Sequence, residues 1–160
     1  MLGDIFDKTT LILGCGNILL GDDGFGPAVV ARLKERHNLP EHVLALDVGT
    51  GIREILFDLL LSEKKPARMI IVDAVDRPGR QPGEVFEISV DEIPEQKAHD
   101  FSLHQFPTVN MLKELKDYTE VDIRLVVVQV KSIPEEIRPG LTPEVAGAVE
   151  EACGLILRNI

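Results

Sequence analysis

Short apolar runs alternate with helical segments along most of this chain, and this alternation constrains the fold more than any other feature. Residues 10–14 (TLILG), 42–49 (HVLALDVG) and 67–75 (ARMIIVDAV) are apolar runs of strand length. Helical spacing of apolar residues follows the first two runs, from about Phe25 and from Ile52. Strand–helix–strand repeats form parallel sheets covered on both faces. We therefore expect an α/β fold, a three-layer α/β/α sandwich around a mostly parallel, twisted sheet of roughly five strands.

The second half of the chain continues the pattern. Residues 84–90 (EVFEISV) alternate apolar and polar positions, which predicts an edge or antiparallel strand with one solvated face. Residues 106–118 predict a helix, and residues 123–130 predict a last buried strand. The chain should close with one helix from Thr142, the N-cap, onward. With no linker or repeat in the sequence, residues 1–160 are predicted to form a single domain.

Acidic residues lie near the ends of three predicted strands. The first strand leads through a glycine turn to Asp22 and Asp23, the second ends near Asp47, and the third ends near Asp73. Parallel strands place their carboxyl ends at one edge of a sheet, where ligand sites gather. Carboxylates in one cleft repel one another unless a proton or a cation lies between them. A nickel or zinc ion would favour a mixed ligand set, and His104 is the nearest nitrogen ligand.

Each of these residues also has a structural interpretation. Asp23 is placed to cap a helix or interact with its dipole, and Asp47 to form an Asx-turn. Two other site types fit poorly. The run GCGNIL lacks the third glycine of a dinucleotide fingerprint. A thiol nucleophile at Cys15 with His104 as base lacks a third residue to orient the base.

A receiver-like phosphoacceptor signalling domain is the main alternative. Such a domain carries an acidic pair after its first strand, a phosphoacceptor aspartate after its third and a lysine after its last. Asp22, Asp23, Asp73 and Lys131 match that set. Against it, the insertion GCGNILLG displaces the acidic pair, and His104 has no role.

Charge and cysteine usage exclude several partners and locations. The net charge is −10 and no lysine or arginine cluster occurs, which argues against binding to nucleic acid. The two cysteines have no disulfide or zinc-site spacing, and no apolar run has the roughly 20 residues needed to span a bilayer. The N-terminal residues lack the apolar region of a signal peptide. We expect a cytoplasmic protein that does not bind membranes.

Five motifs together resemble the maturation endopeptidases of nickel–iron hydrogenases. In chain order they are LILGCGNILLGDDGFGPAVVARL, LDVGTG, IIVDAV, SLHQF and IRPGLTPEV. The resemblance covers nearly the whole chain, and the order of the motifs is more specific than any one of them. Two positions depart from the usual pattern: Asp23 stands where bacterial members often have glutamate, and Val48 replaces a glycine.

The resemblance implies a metal site and a set of catalytic residues. The family's ligands, two carboxylates and a histidine, fall on Asp23, Asp73 and His104. Asp22 would then be a neighbour that supports Asp23 without binding the metal itself. Asp47 would act with the ligands by orienting a water molecule or contacting the substrate, and residues 49–51 would offer backbone donors. The metal would polarise the scissile carbonyl or activate a water molecule.

The resemblance also implies a substrate. The enzyme would be an aspartic-type endopeptidase that removes the C-terminal tail of a hydrogenase large-subunit precursor, after a Cys-x-x-Cys-x-x-His or Arg motif. Nickel would be the cofactor, either carried by the substrate or bound at the site. The aspartate at position 23 and the compact chain look most like archaeal members that serve deazaflavin-reducing hydrogenases. A monomer is expected.

Overall fold

The computed structural model describes residues 5–93 and 106–160. Strands and helices mostly alternate within these residues, and two short 3-10 turns lie at Gly21–Gly24 and Val90–Glu92. No helix in the two described ranges is long and apolar enough to cross a bilayer. In chain order the elements are β1 (Thr10–Cys15), α1 (Phe25–Arg36), β2 (Val43–Gly49), α2 (Ile52–Leu61), β3 (Arg68–Val75), β4 (Val85–Ile88), α3 (Phe106–Tyr118), β5 (Asp122–Gln129), α4 (Pro143–Ala146) and α5 (Val149–Leu157).

The strands form one five-stranded sheet in the order β2-β1-β3-β5-β4. The β1–β2, β1–β3 and β3–β5 pairs are parallel, and β4 pairs antiparallel with β5 at the edge. In β4 the side chains of Phe86 and Ile88 are buried and Glu87 is exposed. The predicted parallel sheet and the predicted antiparallel edge strand are both confirmed.

Helices cover both faces of the sheet. Side chains alternate along β3: Met69 and Ile71 pack towards α2 and α3, whereas Ile70 and Val72 pack towards α1 and α5. Such strands are buried on both faces, so they are apolar throughout rather than alternating. The α/β/α sandwich predicted from the sequence is therefore confirmed.

The predicted closing helix is wrong in one respect, because it is divided into α4 and α5. Thr142 and Pro143 occupy the N-cap and first helical positions as expected, but the Thr142 side chain makes no capping hydrogen bond. At the break, the Ala148 amide donates to the Val145 carbonyl at 3.0 Å, three residues back instead of four. A tight turn with this spacing locally interrupts the α-helical pattern.

Candidate functional site

The site candidates gather where β1 and β3 lie side by side. The chain leaves β1 for β2 on one side and returns to β3 on the other, so the strand order reverses between β1 and β3. In open α/β sheets, ligands bind beyond the carboxyl ends of the strands at such a point. The 3-10 turn that carries Asp22 and Asp23 follows β1 and packs against β3.

Glycine at position 16 lets the chain fold back so sharply after β1. Gly16 has a φ of +139°, and a Cβ there would lie 1.8 Å from the Asp23 carbonyl oxygen. Its amide also donates to the Gly49 carbonyl at 2.9 Å, which ties the turn to the end of β2. The glycine turn thus positions an acidic turn at the edge of the sheet.

Asp23 is a buried carboxylate, and one of its two oxygens accepts no hydrogen bond from the described residues. Its Oδ2 accepts a hydrogen bond from the Asn17 amide at 2.9 Å, while Oδ1 is buried and has no hydrogen-bond partner among the described residues. Burial raises the pKa of Asp23, and the Asn17 amide opposes that rise. An unpartnered buried acceptor is costly in a native structure and calls for a physical explanation. A cation at Oδ1 would remove this cost.

Asp73 is fully buried within β3, two residues before the strand ends. Its Oδ1 accepts a hydrogen bond from the Ala74 amide at 2.8 Å. By the alternation of β3, its side chain lies on the face covered by α2 and α3. The histidine candidate, His104, lies outside the described residues, but it precedes α3, which packs on this same face.

The pKa of the buried Cys15 thiol is affected by three of the acidic residues. Burial raises the pKa of this thiol well above its ordinary value, and the charges of Asp73, Asp23 and Asp47 raise it further, in that order. The charges of three sequence-predicted carboxylates therefore all act on this one buried thiol. A thiol held neutral in this way is a poor nucleophile, so the thiol alternative has no support.

Asp47 differs from the other two carboxylates because it is exposed. Its Oδ1 accepts a hydrogen bond from the Gly49 amide at 2.9 Å, which is the predicted Asx-turn. In β2, Val43 and Ala45 pack towards α1, so the alternation places Asp47 on that face too. The predicted backbone donors need correction: Gly49 N–H is used by Asp47, and Gly51 N–H donates to the Val48 carbonyl at 2.9 Å.

The resemblance implied that Asp22 supports Asp23, but the hydrogen bonds of the Asp22 carboxylate are made to other residues. Its Oδ1 accepts hydrogen bonds from the Thr142 amide at 2.7 Å and the Thr142 hydroxyl at 2.9 Å, and its Oδ2 accepts one from the Lys131 amide at 2.9 Å. Fully buried, it holds the 3-10 turn to the chain that follows β5. We call this group of contacts the Asp22 latch.

The same contacts count against the receiver-like alternative. A receiver-like domain would require the Asp22 carboxylate and the Lys131 ammonium to lie at one site with Asp73. Instead, Asp22 is occupied by the latch, and the Lys131 ammonium pairs with Glu144 at 3.1 Å. The antiparallel β4 at the sheet edge also departs from an all-parallel receiver sheet.

A second group with metal-ligand atoms lies between α1 and α5, and sequence spacing gave no signal of it. The ligand atoms of His37, Glu150 and Cys153 lie within 4.8 Å of one another. Glu150 already pairs with His37 at 2.8 Å and with Arg32 at 3.0 Å. Burial raises the pKa of the Cys153 thiol to about 11. A guanidinium beside a protonated thiol disfavours a cation, so this group serves to join the two helices.

Comparisons with known proteins agree with one another. A family model described as "HycI: Hydrogenase maturation protease" matches residues 27–159. The chain is 36% identical over 159 residues to the coenzyme F420 hydrogenase subunit delta of Methanothermobacter thermautotrophicus, covering 97% of this chain and 96% of that protein. It is 35% identical over 149 residues to the hydrogenase 2 maturation protease of Escherichia coli, covering 92% and 87%.

Solved structures with a similar fold belong to the same group of proteins. The hydrogenase maturating endopeptidase HybD from Escherichia coli superposes with a TM-score of 0.71 at 34% sequence identity, covering 95% of this chain and 91% of that one. Sequence and backbone therefore resemble the same group of proteins along nearly their full length.

Proposed function

Because the chain belongs to the hydrogenase maturation protease family, we propose that it removes the C-terminal tail of a nickel-loaded precursor of a nickel–iron hydrogenase large subunit. The chain is an endopeptidase, and thus a hydrolase. The observation that carries the finer proposal is the Oδ1 atom of Asp23, a buried acceptor without a partner at the reversal of strand order. It lies in the same neighbourhood as Asp73, a second buried carboxylate.

The donor set fits a divalent transition metal. Asp23, Asp73 and His104 would supply two carboxylates and an imidazole, a mixed set suited to nickel or zinc that leaves positions for substrate atoms. The nickel is either carried by the precursor or bound by the protease. When bound, it supplies a Lewis acid for the scissile carbonyl or for a water molecule.

The chain's own residues prepare this site. The Asn17 amide donates to Oδ2 of Asp23, so Oδ1 is the oxygen that would remain to hold the ion. Burial of Asp23 and Asp73 excludes water, which strengthens their attraction for a cation. Asp47, exposed and held by the Gly49 amide, is placed to orient a water molecule or to contact the tail.

The substrate subgroup follows from one relative. The similar protein of Methanothermobacter thermautotrophicus carries the name of a coenzyme F420 hydrogenase subunit, and F420 is a deazaflavin. We therefore propose a deazaflavin-reducing or related archaeal hydrogenase as the source of the precursor. The reaction is assigned to the cytoplasm, where the two free thiols would stay reduced, and to a monomer.

The test compares ligand variants on the nickel-loaded precursor, with tail removal followed by mass spectrometry. Asp23→Asn and His104→Ala should each lower the rate at least about a hundredfold, since each removes a ligand. Asp7→Asn is the control: this exposed aspartate precedes β1 at the opposite edge of the sheet and pairs with Lys64. Tail removal by Asp23→Asn or His104→Ala at the rate of Asp7→Asn would refute the ligand assignment.

A further inference from the structure

An apolar cleft of about 340 Å³ is lined in part by the turn after β1 and by Asp47. Gly24, the residue after Asp23, forms part of its wall, together with Ile18, Ala28 and Ala31. Asp47 also lines it. The cleft is thus continuous with the carboxyl edge of the sheet where peptide cleavage is assigned.

The rim of the cleft exposes large apolar side chains. Ile18 is 58% exposed and its neighbour Leu19 is 44% exposed. Ile137, one residue before the Arg138 that pairs with Leu20, is 72% exposed. Clustered exposed apolar residues mark a binding surface more often than scattered ones do.

The two sides of the rim are held together by the backbone. Leu20 and Arg138 form an isolated parallel β-bridge. The Arg138 amide donates to the Leu19 carbonyl at 2.8 Å, and the Gly21 amide donates to the Arg138 carbonyl at 2.9 Å. The Asp22 latch adds a further tie one residue later. A cleft built in this way is formed before its ligand arrives, which lowers the entropic cost of binding.

The cleft wall between the rims consists of small residues. Gly24, Ala28 and Ala31 leave space where larger side chains would fill it. Among the described residues that line the cleft, Asp47 carries the single charge. An occupant should therefore have an apolar side chain and a neutral or basic residue towards Asp47, because a carboxylate there would be repelled.

We propose that this cleft binds an apolar side chain of the precursor tail, next to the bond that is cut. The inference rests on the proposed function, since the tail is the peptide that must lie beside Asp23. An apolar side chain seated between Ile18 and Ala31 brings its own backbone past Gly24. The cleft then orients the tail and selects its sequence, while the metal ligands act on the bond.

Ala31→Leu tests the cleft without altering a candidate ligand. Position 31 is exposed on α1, and leucine is a good helix former, so the variant should fold while filling the cleft. We expect the KM for the nickel-loaded precursor to rise about tenfold or more with kcat retained. Ala146→Leu, an exposed position on α4 outside the cleft, is the matched control and should leave KM unchanged.

A scan of the precursor completes the test. Replacing residues on either side of the cleavage site with aspartate, one at a time, should identify one apolar position where processing by the wild type falls at least tenfold. Equal KM values for Ala31→Leu and wild type would overturn the cleft while leaving the proposed function intact. Failure of the wild type to cut any nickel-loaded precursor would refute both. Loss of a wild-type dimer in Ala31→Leu would instead identify the cleft as a contact between copies.

Discussion

At the scale of single residues, Asp23 combines a cost to stability with a use in function. Its unpartnered Oδ1 is buried, and burial raises its pKa. A group of this kind weakens the fold unless a ligand pairs with it, and strain of this sort tends to collect at functional sites. Under the proposed function, a cation bound at Oδ1 would offset this cost.

The pH dependence of stability should reveal this cost. When the pKa of a carboxyl is higher in the folded than in the unfolded state, the folded protein is destabilised as the pH rises from the unfolded-state pKa towards the folded-state pKa. In metal-free protein, Asp23→Asn should match the wild type at low pH and become the more stable of the two near pH 7. Urea unfolding over a pH series measures the difference. A wild type that gains on Asp23→Asn as the pH rises would contradict the burial argument.

Cys15 should be dispensable for catalysis. Burial raises the pKa of its thiol well above the ordinary value, and the charges of Asp73, Asp23 and Asp47 raise that pKa further. We expect Cys15→Ala to retain tail removal and to lose about 1 kcal/mol of unfolding free energy, as is usual for a core substitution. Processing rates and urea unfolding test the two parts. A hundredfold loss of rate in a folded Cys15→Ala would revive the thiol mechanism.

The sequence predicted where the acidic residues lie in the fold better than what each one contacts. Strand ends located Asp23, Asp47 and Asp73 because parallel topology brings such ends together. Adjacent residues in a turn point in different directions, however, so Asp22 and Asp23 have separate surroundings. The partners of Asp22 are Lys131 and Thr142, more than a hundred residues away, and no local pattern reveals such contacts.

At the scale of elements, the Asp22 latch joins the acidic turn to the start of α4. Asp22→Ala should lower the unfolding free energy by about 3 kcal/mol, because three hydrogen bonds from the Thr142 amide, the Thr142 hydroxyl and the Lys131 amide lose their buried acceptor. Thr142→Val should cost about 1 kcal/mol, because only the hydroxyl contact is lost.

A double-mutant cycle measured by urea unfolding separates the latch from independent effects. Asp22→Ala and Thr142→Val together should cost less than the sum of the two, with a coupling of about 1 kcal/mol. Strict additivity would mean that the two side chains do not stabilise each other.

The start of α1 approaches the sheet so closely that only glycine fits at position 26. A Cβ there would lie 2.3 Å from the Cys15 carbonyl oxygen and 2.5 Å from that of Val72. Gly26→Ala should therefore cost about 3 kcal/mol, although alanine favours a helix.

Gly154→Ala, within α5, provides the matched comparison. Its Cβ would meet only the flexible Arg158 side chain at 3.5 Å, so the variant should gain about 0.5–1 kcal/mol. Thermal and urea unfolding report both values. A tolerated Gly26→Ala would contradict the close packing of α1 on β1 and β3.

Element types were largely predictable from apolar spacing, and element ends were less so. β4 was recognised at the sheet edge because Phe86 and Ile88 alternate with an exposed Glu87. The division between α4 and α5 was not, because the apolar pattern continues through the break at residues 147–148. The division results from the hydrogen-bond spacing at the break, and the apolar periodicity of the sequence does not predict that spacing.

At the scale of the whole molecule, topology turns a dispersed set of residues into one site. Asp23, Asp47 and Asp73 come from three segments, and the parallel sheet delivers all three to one edge. The apolar cleft lies at the same edge but is built from α1, the turn after β1 and the chain after β5. Sequence reasoning missed the cleft because its walls are distant in sequence and its small residues have no periodic signature.

The most direct test of the central claim is mass spectrometry of the large-subunit precursor after incubation with the wild-type protein. Matched samples of precursor with and without nickel share all other conditions. We expect the nickel-loaded precursor to lose one discrete C-terminal peptide, while the nickel-free precursor stays intact. An intact nickel-loaded precursor, or equal cleavage of both forms, would contradict the function and nickel dependence assigned to Asp23, Asp73 and His104.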